Sequence, residues 1–476
     1  MGGVHRLPLL AAAGMVAALV IPAAAGAADW PAYLHDAQHS SWSPAKAITP
    51  ANASGLHQQW RWVPPAVAGK PVPRLQASPA VVGDRVYIGS NTGVFYALRA
   101  ATGNVVWKRQ LDVSTKLTCG ARGVTATATV APDPASAAST VYVSGARSLY
   151  ALDAATGAVR WQTRIGPAGD PTVNDYYNWS SPTVVAGHIY LGISSFCDEP
   201  LVRAGVIEIN QHTGAVEQTW YSVPDGSIGG SVWTSVAASA SGANLWVSTG
   251  NECDPTVNVC PDGNQTGDSL SIVRLSGSLA RLDAWQVPGA AGSGHDWDFG
   301  SSPTLFGGTG SPAAVGACNK NGVYYALGRT ALPAGPLWSA AIGSAEAPGS
   351  CLPAAVWDAA GRRLFAAGNG TTIGGMTYPG SLRRVDPATG SYVWELGLPC
   401  TVLGSPSGDA GGVIAVATRG SCTAPAVDAL YLVSASTGGV LATIPTSSLT
   451  FAQPAFAGKR LFVATETNGL LALAPA

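Results

Sequence analysis

The stretch Leu149-Tyr-Ala-Leu-Asp-Ala-Ala-Thr-Gly-Ala-Val-Arg-Trp161 predicts two short strands joined by a tight turn. The first strand runs from Leu149 to Leu152, and the second ends on Trp161. The turn between them has a chemical cause, because the Asp153 carboxylate can accept hydrogen bonds from the backbone ahead of it and Gly157 tolerates a positive φ. We therefore interpret this stretch as a hairpin unit.

The same unit recurs along the chain. Close copies occupy residues 97–107 and 385–394, and looser copies occupy residues 209–220 and 433–439. Around them the sequence passes through eight cycles. Their strand starts lie at Ser78-Pro79, Thr125 to Val130, Ser181-Pro182, Ser231 to Val236, Ser302-Pro303, Pro353 to Trp357, Ser405-Pro406 and Gln453-Pro454. The cycles end on Trp107, Trp161, Trp220, Trp285, Trp338, Trp394 and, in the seventh place, Ile444. Repeats of this kind indicate stacked or radial units.

The two ends of the chain complement each other. The eighth cycle runs from Gln453 to Leu473 and has no final Trp strand, whereas the strand Leu56 to Trp62 has no cycle in front of it. An N-terminal strand that completes the last sheet closes a ring and leaves no open edge. The sequence therefore predicts an all-β, eight-bladed β-propeller whose last blade is closed by the N-terminal strand.

Composition agrees with an exported β protein. Only 11% of the 476 residues are charged and the net charge is −1, so neither nucleic-acid binding nor a strongly charged partner is indicated. Residues 1–27 resemble a secretion signal peptide, with His5 and Arg6 before an apolar run and small residues near Ala27. We expect residues 28–476 to form one propeller without a membrane span, secreted to the periplasm or the cell exterior.

All eight cysteines lie in this mature part, and an even number in an exported chain favours disulfides. We predict a bond between Cys253 and Cys260, which would close a short polar loop. Proximity along the chain suggests Cys318 with Cys351 and Cys400 with Cys422.

The repeated A-x-D-x-x-T-G-x-x-x-W pattern resembles the tryptophan-docking motif of pyrroloquinoline quinone (PQQ) dehydrogenases. The opening Asp29-Trp-Pro-Ala-Tyr33 is similar to the start of their mature chains, and the segment 298–303 is similar to polyvinyl-alcohol dehydrogenases in particular. The resemblance implies Trp rings wedged between blades. It also implies PQQ and Ca²⁺ as cofactors, an alcohol or sugar substrate, and an external electron acceptor such as a cytochrome.

Two residues match the family's cofactor site within one blade. Trp233, in Gly229-Gly-Ser-Val-Trp233, matches the Trp that forms the floor beneath the quinone, and Asn251, in Thr249-Gly-Asn251, matches a calcium ligand. Trp233 breaks the docking pattern, because it lies on an early strand rather than at the end of a cycle. A flat aromatic face and a neutral amide oxygen suit a planar ring and a hard cation.

The segment His295-Asp-Trp-Asp298 precedes the next blade and resembles the family's W-D-x-D-x-x-x-x-P segment, which holds the catalytic base. Alignment on Pro303 makes Asp296 the base and Asp298 the second acid, whereas alignment on Trp297 selects Asp298. We prefer Asp296 on the sequence alone and also place it near the calcium. Lys320 matches a cation that contacts the quinone oxygens.

Two further positions follow from the resemblance. Glu199, with Asp198 as a rival, is the nearest match to a calcium-binding glutamate, and Arg122 resembles an arginine that contacts the cofactor. Taken alone, Asp296 would be a loop acid that caps backbone amides, and Lys320 a solvent-exposed hairpin side chain. The alternative interpretation of the whole chain is a cofactor-free propeller that serves as a binding or assembly scaffold at the cell surface.

Overall fold

The computed structural model describes residues 1–2, 28–66, 72–115, 120–166, 175–198, 200–256, 258–345, 347 and 349–476. The predicted signal peptide therefore lies almost wholly outside the described residues, and the domain boundaries 1–27 and 28–476 stay a prediction. Within the described part the chain is nearly all β.

The strands before and within the first four blades are β1 (Trp42–Ser43), β2 (His57–Trp62), β3 (Ala80–Val82), β4 (Arg85–Gly89), β5 (Val94–Arg99), β6 (Val105–Gln110), β7 (Thr129–Pro132), β8 (Ser139–Ser144), β9 (Ser148–Asp153), β10 (Val159–Arg164), β11 (Tyr176–Tyr177), β12 (Thr183–Val185), β13 (His188–Ser195), β14 (Gly205–Asn210), β15 (Val216–Tyr221), β16 (Ala237–Ala238), β17 (Asn244–Ser248), β18 (Ser271–Ser276) and β19 (Arg281–Gln286). The strands of the remaining blades are β20 (Thr304–Gly308), β21 (Ser311–Cys318), β22 (Val323–Gly328), β23 (Pro336–Ala341), β24 (Val356–Asp358), β25 (Arg363–Ile373), β26 (Met376–Val385), β27 (Tyr392–Leu398), β28 (Ser407–Asp409), β29 (Val413–Ala417), β30 (Ala429–Ser434), β31 (Val440–Pro445), β32 (Ala455–Ala457), β33 (Arg460–Thr465) and β34 (Gly469–Ala474). Two 3₁₀ turns occupy Ala53–Gly55 and Leu332–Ala334.

These strands form eight sheets, which confirms the predicted eight-bladed propeller. Each blade runs outward from a short inner strand, and the inner strands are β3, β7, β12, β16, β20, β24, β28 and β32. The last sheet has the order β2-β34-β33-β32, so β2 pairs antiparallel with β34 and closes the ring as predicted.

Four of the tryptophans that end the cycles pack onto the Thr-Gly turn of the next blade, namely Trp107, Trp161, Trp338 and Trp394. Trp107 on β6 donates from Nε1 to the Ala154 carbonyl at 3.0 Å, and its ring lies against Gly157. A Cβ on Gly157 would lie 2.5 Å from that ring. Glycine is thus required at this position for two reasons. Its φ is +70°, and the neighbouring Trp107 ring leaves no space for a side chain. These rings belong to the core, as the repeat predicts.

The segment before β2 has a role that its polar, turn-rich sequence does not reveal. It hydrogen-bonds to the inner strands of several blades. Examples are the paired bonds between Trp30 and Val81 of the first blade and the bond from Leu305 N of the fifth blade to the Gln38 carbonyl. The segment also adds β1 in parallel to β28, so that the seventh sheet has five strands.

Three predicted disulfides are confirmed: Cys253–Cys260, Cys318–Cys351 and Cys400–Cys422. No helix in the described ranges is long and apolar enough to span a membrane.

Candidate active site

The connection between β19 and β20 holds the two acids singled out from the sequence. A backbone bridge between Phe299 and Asn319 joins this connection to the turn between β21 and β22. The amide of Lys320 donates to the Asp298 carbonyl at 3.0 Å, and the Asn319 side chain donates to the Trp297 carbonyl at 2.7 Å. These bonds hold Lys320 beside both acids.

Lys320 forms ion pairs with both carboxylates. Its Nζ lies 2.8 Å from Oδ1 of Asp296 and 2.5 Å from Oδ1 of Asp298. The same Nζ lies 5.4 Å from the centre of the Trp233 ring, at a distance where a cation is attracted by an aromatic face. Trp233 Nε1 donates to Oδ2 of Asp298 at 3.0 Å. An aromatic platform, a cation and two acids therefore meet in one cluster.

The two acids have opposite environments although only one residue separates them. Asp298 is 3% exposed, and burial raises its pKa to about 6, although Lys320 partly offsets this effect. Asp296 is exposed. Partial desolvation acts against its ionisation, but the Lys320 charge and hydrogen bonds from Asn251 and Lys320 outweigh it and hold the Asp296 pKa below the ordinary value. Between the two acids the pKa of Lys320 is raised.

Asn251 belongs to the same cluster. It follows β17, and its backbone carbonyl accepts a bond of 2.7 Å from the amide of Gly230 in the Gly-Gly turn ahead of Trp233. Its side-chain Nδ2 donates to Oδ1 of Asp296 at 2.8 Å. The structure therefore brings Asn251, Trp233 and the acid pair together in one cluster.

Asp198 lines a depression of about 930 Å³ together with Asn251, Asp296 and Lys320. Burial raises the Asp198 pKa. Its rival Glu199 lies outside the described residues, so the choice between them stays open. This depression gathers oxygen ligands of the type that Ca²⁺ prefers.

A second cavity, of about 360 Å³, lies on the propeller axis beside this cluster. Trp233, Trp179 and Arg122 are among its lining residues. The Arg122 guanidinium lies 5.2 Å from the centre of the Trp179 ring and 5.9 Å from that of Phe196. The cavity thus offers aromatic faces and a fixed cation, which together suit a flat anionic molecule.

A sequence profile described as "Glucose/ethanol/alcohol dehydrogenase, beta-propeller domain" matches residues 30–331, well over half of the chain. The chain belongs to this dehydrogenase propeller family. The family resemblance noted in the docking motif is thereby confirmed. A profile described as outer membrane protein assembly factor BamB matches residues 379–476.

Two curated relatives have low sequence identity to this chain. Quinohemoprotein alcohol dehydrogenase of Comamonas testosteroni is 27% identical over 64% of this chain and 46% of its own length. Polyvinylalcohol dehydrogenase of Pseudomonas sp is 22% identical over 61% of this chain and 47% of its own length. The chain therefore spans about half the length of the curated relatives it matches.

Solved structures share the propeller. A europium-containing methanol dehydrogenase superposes with a TM-score of 0.71 at 17% identity, covering 92% of this chain and 89% of its own. BamB from Moraxella catarrhalis superposes with a TM-score of 0.56 at 14% identity, covering 88% of this chain and all of its own. At these identities the likeness shows the fold alone.

Sequence reasoning missed Trp179, Arg419 and Phe451, which also line the axial cavity. A positional signal existed for Trp179, because it lies four residues before its inner strand β12, as Trp233 does before β16. Arg419 pairs with Glu466 at 2.7 Å and carries no motif that marks it.

Proposed function

We propose that this protein is an exported PQQ- and Ca²⁺-dependent dehydrogenase that oxidises an alcohol or sugar hydroxyl and passes the electrons to an external acceptor. The observation that carries the proposal is the contact of Asp298 with both Trp233 Nε1 and Lys320 Nζ. A carboxylate and a cation therefore lie at the edge of an aromatic ring that lines the axial cavity.

The residues present fit the cofactors. Trp233 would lie against the face of PQQ, and Arg122 would meet one of its carboxylates, since both line the axial cavity. Asn251 and Asp296, with Asp198 or Glu199, would supply oxygen ligands to Ca²⁺ in the adjoining depression. When bound, PQQ supplies a two-electron acceptor and Ca²⁺ a Lewis acid.

We infer that Asp298 accepts the proton of the substrate hydroxyl. A general base works best when its pKa lies near the working pH, and burial brings the Asp298 pKa to about 6, whereas that of Asp296 is held low. This assignment exchanges the roles that the sequence alone suggested for the two acids. Trp233 Nε1 keeps one Asp298 oxygen oriented.

Lys320 has two roles in this proposal. Its three N–H donors reach both Asp296 oxygens, at 2.8 and 3.1 Å, and one Asp298 oxygen, so an oxygen of a ligand lying on Trp233 would take the donor that now reaches the more distant Asp296 oxygen. Its charge also keeps Asp298 ionisable in a buried position, because without a cation the desolvation penalty would favour the neutral acid.

Reconstitution tests the function. Purified protein is titrated with PQQ in the presence of CaCl₂ while quinone absorbance and dye-linked alcohol oxidation are followed. We expect binding and turnover in the wild type, loss of PQQ binding in Trp233→Ala, and retained binding in the control Trp62→Ala, whose ring packs on Tyr96 away from the cavity. Undiminished binding in Trp233→Ala would show that PQQ binds elsewhere.

If the wild type binds no PQQ at all, the dehydrogenase proposal is wrong, and the scaffold function becomes the better interpretation. The match of residues 379–476 to the BamB profile gives that alternative its one specific support.

A further inference from the structure

Blade three carries a cluster of metal-ligand side chains far from the proposed active site. His188 is the first residue of β13, Glu208 lies on β14 and Glu217 on β15. The last residue of β13, Ser195, leads to Asp198 in the depression beside the active site. At ~3.3 Å per strand residue, the length of β13 separates His188 from that end by roughly 20 Å. The cluster therefore lies at the opposite end of the blade.

Strand register puts the three side chains on one face. His188 is paired with Asn210, and Glu208 is paired with Tyr190 on one side and Gln218 on the other. An irregularity in the β14–β15 ladder beside Glu208 brings Glu217 onto the same face. The ligand atoms of the three residues lie within 4.8 Å of one another.

The His188 imidazole cannot satisfy both neighbouring carboxylates by hydrogen bonding. His188 Nδ1 lies 2.9 Å from Oε1 of Glu208 and 2.8 Å from Oε2 of Glu217. One ring nitrogen carries at most one hydrogen, so it cannot donate fully to both carboxylates. Two anionic oxygens and a nitrogen thus converge on a single point, and the Glu208 carboxylate does so from a position where its side chain is only 6% exposed. A cation between them would satisfy all three atoms.

Neighbouring groups hold the ligands in place. Asn210 Nδ2 donates to the other Glu217 oxygen at 2.9 Å, which fixes the orientation of that carboxylate. The His188 ring stacks on Tyr190, whose hydroxyl donates to the Gly277 carbonyl at 2.7 Å. Such outer contacts are typical of residues that ligate metals.

We propose that His188, Glu208 and Glu217 bind a divalent transition-metal ion of the zinc class. One imidazole and two carboxylates match the ligands that zinc takes in proteins, and the half-exposed position of His188 and Glu217 leaves a fourth place for water. The ion would join the three consecutive strands β13, β14 and β15. The proposal is independent of PQQ binding.

Zinc titration of the full chain tests it. Protein freed of metal with a chelator is titrated with ZnCl₂ by calorimetry, with excess CaCl₂ present to occupy the proposed calcium site. We expect His188→Gln and Glu217→Gln each to bind one zinc fewer per chain than the wild type. Both positions are partly exposed, and circular dichroism with thermal melting checks that the variants fold.

His212→Gln is the matched control. His212 Nδ1 lies 2.9 Å from Asp133 Oδ2, so it is a histidine–carboxylate pair with one acid in place of two. It should bind zinc like the wild type, and zinc should raise the melting temperature of the wild type and His212→Gln but not of His188→Gln. Equal zinc stoichiometry in wild type and His188→Gln, or no zinc binding by the wild type, would overturn the proposal.

Discussion

The pH dependence of alcohol oxidation distinguishes the two acids of the candidate active site. If Asp298 is the base, kcat/KM should follow the ionised fraction of a group whose pKa is about 6. That fraction is about nine tenths at pH 7 and about one tenth at pH 5, since each unit below the pKa lowers it tenfold. Activity should therefore fall about tenfold between pH 7 and pH 5.

The alternative base gives a different curve. The pKa of Asp296 is held below its ordinary value, so Asp296 would stay ionised over this whole range and the rate would be flat. The assay is kcat/KM for dye-linked oxidation by the PQQ- and Ca²⁺-loaded protein from pH 5 to pH 8, corrected for the dye's own pH response. Asp298→Asn should lower kcat by about 10²–10⁴-fold across the range. A flat wild-type profile, or an Asp298→Asn variant with ordinary activity, would refute the assignment.

Two further predictions concern the acid pair and the blade contacts. Asp296→Asn should keep measurable activity and shift the acid limb to lower pH, because the Asp296 charge raises the Asp298 pKa and its removal lowers it. An inactive Asp296→Asn with unchanged binding of both PQQ and Ca²⁺ would instead support Asp296 as the base. Gly157→Ala should destabilise the fold by about 1–3 kcal/mol beyond the cost of its positive φ, because the new Cβ would lie 2.5 Å from Trp107. The control Gly226→Ala shares the positive φ but has no heavy atom within 4 Å of its Cβ, so the difference in urea midpoint isolates the clash. Equal midpoints would contradict the docking role of the turn.

Local sequence was enough to predict the blades. The Asp-x-x-Thr-Gly turn requires a side-chain acceptor and a glycine with positive φ, and both are chemical properties of the residues themselves. In the hairpin that first shows the pattern, Asp153 accepts bonds from the amides of Ala155 and Thr156, and Gly157 has a φ of +70°. Because copies of this turn recur along the chain and a strand start marks every cycle, the number of blades and the ring closure by β2 could be derived without coordinates.

Only the tertiary structure decided the environments within the candidate site. Asp296 and Asp298 have the same side chain and lie in one irregular loop, where no helical or strand period predicts which side chain points inward. The contact of Asp298 with Trp233, sixty-five residues earlier in the chain, forms because two blades meet at the axis. The convergence of His188 with Glu208 and Glu217 likewise depends on strand register and a ladder irregularity. The sequence alone therefore determined the repeating contacts, whereas burial and the pKa shift it causes depend on how distant segments pack around a side chain.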